Sequence, residues 1–349
     1  MRVTTAQPAP IFPDDGPAGD RIIRRVRGIA GEIGAFVLVT SLAPLLVVVA
    51  AAVDLALWLR RRKPPMALRL LAFAWWFLLG ELTALLRTGW IWLSAGGRDN
   101  VRRRTGVYNL RIWWAGHHLG GAIRLFGLKI VVDNPELIEG GPYTVMVRHA
   151  SIIDNLLPDS CIAKPSGNGL RFVIKRELEM IPAIDIAGRW VPTIFVKRAS
   201  GDADAEVAKI RLLADHFGPG EAIMIYPEGT RWTPDKAARV KQIIAERQPE
   251  ISPLAERLQH LLPPRLGGPL ELLDASREAG NDIIFCGHVG FDGFQYVSDI
   301  WAGGLLGTTV RIRFWRHSGA EIPVDHESRV RWLYSRWQTV DDWVGEHKQ

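Results

Sequence analysis

The chain has 349 residues, of which 48% are hydrophobic and 23% charged, and this composition excludes an intrinsically disordered protein and a mini-protein. Its formal net charge of +6 favours anionic partners such as lipid headgroups or phosphorylated substrates, and its two cysteines are too few for a disulfide scaffold. The apolar residues concentrate between residues 33 and 97, which predicts a membrane-facing unit in addition to a globular one.

The first segments in chain order are a polar tail and an apolar run. Several prolines and the basic cluster Arg21–Arg27 predict a loose basic tail over residues 1–30. The run Gly34–Val53 contains no charge and is long enough to cross about 30 Å of hydrocarbon as a helix. A cleavable signal peptide is the alternative interpretation, since Ala50–Ala52 resembles a cleavage site.

A second apolar stretch, Leu70–Gly97, contains Glu81, Arg87 and several tryptophans, which prefer the membrane–water interface. Pro64–Pro65 separates the two stretches, so we expect a helical hairpin over residues 31–97 that anchors the chain to a membrane. Two spans, one span followed by an interfacial helix, and a hairpin within one leaflet all remain open. The distribution of Lys and Arg weakly favours both ends of the hairpin on the cytoplasmic face of the cell membrane.

The rest of the chain alternates short β-rich runs with helical patterns, which predicts an α/β fold. Residues 98–127 predict a basic linker and a helix leading into this part, and residues 326–349 predict a C-terminal amphipathic helix. The expected strands are Lys129–Val132, Tyr143–Val147, Phe172–Ile174, Thr193–Val196, Ala222–Tyr226, Asp282–Gly287 and Thr309–Phe314. The expected helices are Ala203–Phe217, Ala237–Arg247, Leu270–Ala279 and Glu327–Glu346.

The first motif with chemical potential places His149 directly after a predicted strand and Asp154 five positions later. In isolation this spacing is weak, because Ser151 and Asp154 also fit the two members of a helix capping box. The two interpretations can coexist, because an aspartate in the first helical turn can face back toward an imidazole on the preceding loop.

The second motif, Tyr226–Arg231, follows another predicted strand. Its Gly229 permits close backbone approach and its Arg231 offers a planar fork of donors, a combination that suits a phosphate. An ordinary turn with a solvated arginine is the alternative. Two basic pairs, Lys175–Arg176 and Lys197–Arg198, also lie at strand ends, where single basic residues are usually surface charges.

In this order the segments resemble the glycerophospholipid acyltransferase superfamily, specifically the 1-acylglycerol-3-phosphate acyltransferases. The family signature is a His and an Asp separated by four residues, then Phe-x-x-Arg, then Pro-Glu-Gly-Thr-Arg, and all three occur here within residues 131–290. The chain departs from the family pattern at Arg148, where Asn is usual, and in an insertion over residues 232–262; the usual final Val-Pro block is not clear at residues 286–289. Pro192 and Tyr226 are further departures.

The resemblance implies a mixed central sheet flanked by helices as the acyltransferase catalytic domain, over residues 128–325 and preceded by the membrane hairpin. It implies that His149 is the general base and that Asp154 holds its imidazole in the useful tautomer. Transfer would be direct, without an acyl-enzyme, so Ser151 is not expected to be a nucleophile. The implied substrate-binding residues are Lys175, Lys197, Arg198, Glu228, Gly229, Thr230 and Arg231.

The expected activity is transfer of an acyl group from acyl-CoA or acyl carrier protein to lysophosphatidic acid. The donor is a co-substrate, and no other cofactor is expected. Glycerol 3-phosphate or another lysophospholipid is an alternative acceptor, and a non-catalytic scaffold for anionic lipid is an alternative function. The expected partners are the two substrates and the bilayer, without nucleic acid; the oligomeric state stays open. No metal is expected, since no ligand spacing connects the candidate ligands His117, His118, His149, His288 and Asp292.

Overall fold

The computed structural model describes Val3 and residues 10–14, 16–196, 203–294 and 297–348. The strands are β1 (Lys129–Asp133), β2 (Tyr143–Val147), β3 (Gly169–Lys175), β4 (Thr193–Val196), β5 (Glu221–Ile225), β6 (Asp282–Val289) and β7 (Thr309–His317). The helices are α1 (Ala18–Ser41), α2 (Ala43–Arg61), α3 (Ala67–Ser94), α4 (Val101–Phe126), α5 (Lys164–Ser166), α6 (Pro182–Ala187), α7 (Ala203–Leu212), α8 (Pro234–Arg247), α9 (Ser252–Arg257), α10 (Gly267–Ala279), α11 (Val297–Trp301) and α12 (His326–His347). A π-helical turn covers Pro158–Ala163, and 3₁₀ turns cover Pro135–Ile138, Ile153–Leu156, Arg176–Met180, Gly188–Trp190 and Gly319–Glu321.

The strands form one seven-stranded sheet in the order β1-β7-β6-β2-β5-β3-β4. The strands from β6 to β4 run parallel to one another, whereas β7 is antiparallel to β6 and β1 is parallel to β7. The predicted mixed central sheet flanked by helices is therefore confirmed. Because the carboxyl ends of parallel strands lie at one edge, the residues that follow β2, β3, β4, β5 and β6 meet there.

The centre of the sheet is covered on both faces. Every residue of β2 is buried, as a central strand of a parallel sheet requires. Met146 packs into the apolar cluster that contains residues of α10 and α12, whereas Val145 and Val147 pack into the cluster that contains Phe126 of α4. Burying each of these side chains contributes about 1.5–3 kcal/mol, so the two clusters fix the strand that leads into the site.

Asp54, the charged residue that follows the first apolar run, caps the next helix. Asp54 is buried, and its Oδ1 accepts the N–H groups of Met66 at 3.0 Å and Ala67 at 2.8 Å. Its Oδ2 accepts the N–H of Leu68 at 2.9 Å. Since the first N–H groups of a helix have no partners within the helix, Asp54 satisfies the start of α3 and holds the turn after α2. The predicted hairpin of two apolar helices is thus present.

The first arm of this hairpin differs from the expectation in two respects. It begins at Ala18, inside the segment expected to be a loose tail, and it is divided at Leu42 into α1 and α2. Pro44 lies in the first turn of α2, where a proline is tolerated because it lacks a hydrogen-bonding N–H. From Ala18 onward the expected tail is helical, and Arg25 of α1 donates to the buried carboxylate of Asp185 at 2.7 Å.

Both ends of this arm contact the α/β part of the molecule. At the first end, Arg24 and Arg25 bind Asp185 of α6. At the second end, the turn after α2 places Met66 in the cluster that contains Phe126, and Arg69 in the first turn of α3 donates to the carbonyl oxygen of Leu125 at 3.0 Å. The arm therefore lies alongside the α/β part rather than projecting away from it.

The outer surface of the helical layer is apolar. By length and composition, α2 and α3 could each cross a membrane. An apolar cavity of about 580 Å³ opens between the long helices, lined among others by Val47, Leu71 and Trp75. Large apolar side chains are exposed on these helices, among them Leu45, Val48, Leu59, Leu86, Trp90 and Leu93. Extended exposed apolar surface marks contact with a membrane or another protein, so the layer suggests membrane association.

Candidate active site

The parallel strands bring the sequence motifs to one edge of the sheet. His149 follows β2, residues 226–231 follow β5, and Lys175 ends β3, with β5 hydrogen-bonded to both β2 and β3. Ligands of α/β proteins bind at this edge. Lys197 and Arg198 come directly after β4 in sequence but lie outside the described residues.

The His149 and Asp154 side chains form a buried hydrogen-bonded pair, which we call the dyad. His149 Nδ1 donates to Asp154 Oδ1 at 3.0 Å, and Asp154 Oδ2 accepts the N–H groups of Ala150 and Ser151 at 2.7 Å each. The Ser151 contact is half of a capping box, so the two interpretations of this motif coexist. Because the carboxylate can only accept, Nδ1 carries the proton and Nε2 keeps its lone pair, as a general base requires.

Asp154 is ionised in this environment. Burial alone would raise the pKa of Asp154, but His149, His288 and the N–H of Ser151 hold the pKa below its ordinary value. The buried carboxylate can therefore stabilise the imidazolium that forms when His149 takes up a proton. The nearby Ser151 hydroxyl is buried and donates to the carbonyl oxygen of Phe294 at 2.6 Å.

The Tyr226 ring holds the imidazole from one face. The two rings stack with centroids 4.3 Å apart and planes inclined by 22°. The phenol also donates to the carbonyl oxygen of Asp154 at 3.5 Å. Burial, reinforced by the charge of Asp154, raises the pKa of Tyr226 well above its ordinary value, so the ring remains neutral against the dyad.

The carboxyl group of Glu228 binds backbone rather than facing an open pocket. Its Oε1 accepts the N–H of His149 at 2.7 Å, and its Oε2 accepts the N–H of Leu262 at 3.0 Å. Burial raises the pKa of Glu228 to about 8. Glu228 thus joins the turn after β5 to the backbone of His149 and to the end of the insertion, a positioning role that the motif alone does not reveal.

The turn at residues 226–231 requires a glycine at position 229. Gly229 has a φ of +65°, and a Cβ atom there would lie 2.6 Å from Arg265 Nε. The backbone N–H of Trp232 donates to the carbonyl oxygen of His149 at 3.0 Å. Arg231, which is partly buried, is therefore one residue away from a backbone hydrogen bond to His149.

The insertion contributes a lysine to the same turn. Lys236 lies in the first turn of α8, and its Nζ donates to Thr230 Oγ1 at 3.4 Å and to the carbonyl oxygen of Arg231 at 3.1 Å. Thr233 caps this helix by accepting the N–H of Lys236. Lys175, half-buried at the end of β3, supplies a further positive charge to this edge of the sheet.

Arg148, His288 and Asp292 form a group beside the dyad that the motifs did not predict. Arg148 is completely buried, donates to the carbonyl oxygen of His288 at 2.5 Å and pairs with Asp292. His288 Nε2 donates back to the carbonyl oxygen of Arg148 at 3.0 Å. The available signal was Arg148 itself, because an arginine directly after a buried strand needs an acidic partner.

The metal-ligand candidates divide between two regions. His117 and His118 lie on α4, where His117 donates to the carbonyl oxygen of Trp76 and His118 contacts Glu81. His149, His288 and Asp292 belong to the sheet edge. In the described part of the chain, three carboxylates lie close enough to share an ion, but arginines from α1 and the 3₁₀ turn before β4 already bind them; the three are Asp14, Glu179 and Asp185.

One family of known proteins matches the part of the chain that contains the motifs. Residues 129–255, which include the dyad and the turn after β5, match a family described as Acyltransferase. Among solved structures, the chain is similar to the 1-acyl-sn-glycerophosphate (LPA) acyltransferase PlsC from Thermotoga maritima, with 17% identity and a TM-score of 0.43. That match covers 74% of this chain and 96% of the other. No curated protein matches the chain.

Proposed function

We propose that this chain, whose residues 129–255 match the Acyltransferase family, is a member of the glycerophospholipid acyltransferase superfamily and converts lysophosphatidic acid to phosphatidic acid. The acyl group comes from a thioester, either acyl-CoA or acyl carrier protein. One observation carries the proposal: the dyad, joined at 3.0 Å, is hydrogen-bonded through the His149 carbonyl to the residue that follows Arg231. A base and a phosphate-binding side chain therefore share one edge of the sheet.

In the proposed reaction, His149 Nε2 removes the proton from the acceptor hydroxyl as its oxygen attacks the thioester carbonyl. The new C–O bond forms a tetrahedral intermediate, whose collapse breaks the C–S bond. The leaving thiolate takes the proton back from the imidazolium, so His149 is restored without a covalent enzyme intermediate. Asp154 stabilises the imidazolium throughout, and a positioned general base of this kind contributes about 10²- to 10⁴-fold to the rate.

The acceptor phosphate is assigned to Arg231, with Lys175, Lys197 or Arg198 as further cations. Guanidinium groups bind phosphate oxygens through charge-assisted, often bidentate hydrogen bonds. Glu228 and Gly229 support this role indirectly, since one fixes the backbone of the turn and the other allows it to pack against Arg265.

We place the protein on the cytoplasmic face of the cell membrane, with its hairpin in one leaflet. A two-span hairpin would put the turn after α2 across about 30 Å of hydrocarbon from the α/β part. That arrangement conflicts with the packing of Met66 against Phe126. A hairpin lying flat would also let substrates with long acyl chains reach the site without leaving the interface.

The proposal is tested by measuring acyl transfer to several acceptors in lipid vesicles, with the same labelled thioester. The acceptors are lysophosphatidic acid, glycerol 3-phosphate, lysophosphatidylcholine and monoacylglycerol, which lacks the phosphate. We expect the highest kcat/KM with lysophosphatidic acid. Arg231→Ala should raise the KM for lysophosphatidic acid and leave that for monoacylglycerol unchanged, whereas Arg257→Ala, at an exposed arginine of the insertion, should change neither.

A higher kcat/KM with another acceptor would mean that this acceptor, rather than lysophosphatidic acid, is the substrate of the same acyl-transfer reaction. Lipid binding that is independent of His149, without thioester consumption, would instead identify a non-catalytic scaffold. An unchanged KM in Arg231→Ala would remove that residue from the phosphate site.

A further inference from the structure

Two residues at the ends of neighbouring strands hold each other in place. Arg148 follows β2, and His288 is the penultimate residue of β6. The guanidinium of Arg148 donates to the His288 carbonyl at 2.5 Å, and the imidazole Nε2 of His288 donates to the Arg148 carbonyl at 3.0 Å. Both side chains are completely buried, and Asp292 balances the charge of Arg148. We call this reciprocal pair the clamp.

The clamp approaches the dyad from two sides. The carbonyl that His288 binds belongs to Arg148, the residue directly before His149. On the other side, His288 Nε2 lies 3.6 Å from Asp154 Oδ2, the oxygen that already accepts two backbone N–H groups. Within the described part of the chain, His288 Nδ1 is buried without a hydrogen-bond partner. The polar contacts of Nε2 therefore orient the ring.

The His288 ring is neutral. Burial lowers the pKa of His288, and Arg148 lowers it further, although Asp154 and Asp292 act in the opposite direction. Because Nε2 faces a carbonyl oxygen and a carboxylate oxygen, the neutral ring carries its proton on Nε2. It thus offers a directed N–H to the dyad without adding a positive charge beside the imidazolium.

We propose that His288 is a positioning residue for acyl transfer, because its Nε2 donates to the Arg148 carbonyl and lies 3.6 Å from Asp154 Oδ2, and it thereby helps to fix the orientation of His149. The proposal rests on the function proposed above. A misplacement of reacting groups by about 1 Å can cost 10²-fold in rate. If His288 only filled space in the core, its substitution would lower stability and would not lower kcat at an unchanged KM.

The first test compares His288→Gln with His288→Asn. The glutamine amide nitrogen reaches the position of Nε2, whereas the asparagine amide nitrogen reaches only that of Nδ1. We expect His288→Asn and His288→Leu to lower kcat by about 10²-fold with unchanged KM for both substrates, and His288→Gln to restore most of the loss. The matched control is His317→Gln at the opposite edge of the sheet, where His317 pairs with Ile283 near the start of β6; it should leave kcat unchanged.

The second test does not depend on activity. In the ¹H NMR spectrum of histidine-labelled protein, the His149 Nδ1–H bound to Asp154 should give a low-field resonance, assigned by its loss in His149→Ala. We expect this resonance to shift or broaden in His288→Asn and to be retained in His288→Gln. If the unsubstituted chain transfers no acyl group, the proposed function fails, and the resonance still decides the role of His288.

Two results would overturn the inference. In the first, His288→Asn and His288→Gln have equal kcat values and the His149 resonance is unchanged in both. In the second, kcat falls only in proportion to the loss of folded protein measured by thermal unfolding, which would reduce His288 to a packing residue. If His288→Leu is recovered only as aggregate, the comparison of glutamine with asparagine decides alone.

Discussion

Replacing Asp154 by asparagine changes the tautomer of the proposed base without changing the size of the side chain. The amide oxygen of asparagine can accept the N–H groups of Ala150 and Ser151, which Asp154 binds at 2.7 Å each. The amide nitrogen then faces His149 Nδ1. Because an amide NH₂ only donates, Nδ1 has to accept, and the imidazole proton moves to Nε2. In that tautomer Nε2 cannot take the proton of the acceptor hydroxyl.

The size of the effect follows from the contribution of general-base catalysis. A positioned base contributes about 10²- to 10⁴-fold, which corresponds to about 3–5 kcal/mol of activation free energy at about 1.4 kcal/mol for each factor of ten. The loss should appear in kcat. The KM for the lysolipid should change little, since the Asp154 side chain is completely buried and its oxygens bind His149 Nδ1 and the N–H groups of Ala150 and Ser151.

The assay is transfer of a labelled acyl group from the thioester to the lysolipid in vesicles, with thermal unfolding as the check on folding. Asp133→Asn is the matched control, because Asp133 ends β1 and forms an exposed pair with Arg311 at 2.8 Å. A folded Asp154→Asn protein that keeps the kcat of the unsubstituted chain would refute the tautomer argument.

Three further predictions concern the groups that support the site and the helical layer. The pKa of Glu228 is about 8 in the folded chain, well above its ordinary value, so the folded state holds a proton that the unfolded state releases. The unfolding free energy should therefore fall as pH rises from about 5 to 8, and this dependence should be weaker in Glu228→Gln, as measured by denaturant titrations at each pH. If the unfolding free energies of the two proteins changed equally with pH, the raised pKa of Glu228 would be contradicted. Asp185→Asn removes the carboxylate that Arg24, Arg25 and Arg189 share, so it should lower the free energy of unfolding by about 3–5 kcal/mol. We expect faster proteolysis within α1 in this variant. Equal cleavage rates in the two proteins would show that the ion pairs do not hold this helix. Asp54→Ala should lower the free energy of unfolding in detergent by about 1–2 kcal/mol, because three N–H groups at the start of α3 lose their acceptor. The control Asp20→Ala, at an exposed residue of α1, should leave the free energy of unfolding unchanged. Equal stabilities of the two variants would contradict the capping role of Asp54.

Much of the α/β part can be predicted from local patterns. A run such as Tyr143–Val147 is apolar and rich in β-branched residues between turn residues, so its boundaries follow from its composition. The His149 and Asp154 pairing was accessible for the same reason, since both residues belong to one short segment. Pro44 lies at the break between α1 and α2, but the prediction of one continuous helix rested on the absence of charge over Gly34–Val53 and did not take this proline into account.

The remainder depends on contacts between residues far apart in sequence. No local pattern pairs Arg25 with Asp185 or Arg148 with His288, because these contacts arise only when the sheet and the helical layer assemble. Glu228 illustrates the same limit within a motif. Its sequence context suggests a charged group at a phosphate site, whereas its direction toward the His149 backbone is set by the packing of the insertion around Leu262.

The measurement that tests the central claim most directly is the stoichiometry of the reaction catalysed by the purified protein and by His149→Ala in the same vesicles. The account predicts one free thiol for each phosphatidic acid formed, and a rate about 10²- to 10⁴-fold lower in the variant with lysolipid binding retained. Equal rates in the two proteins, or thiol release without a lipid product, would contradict it.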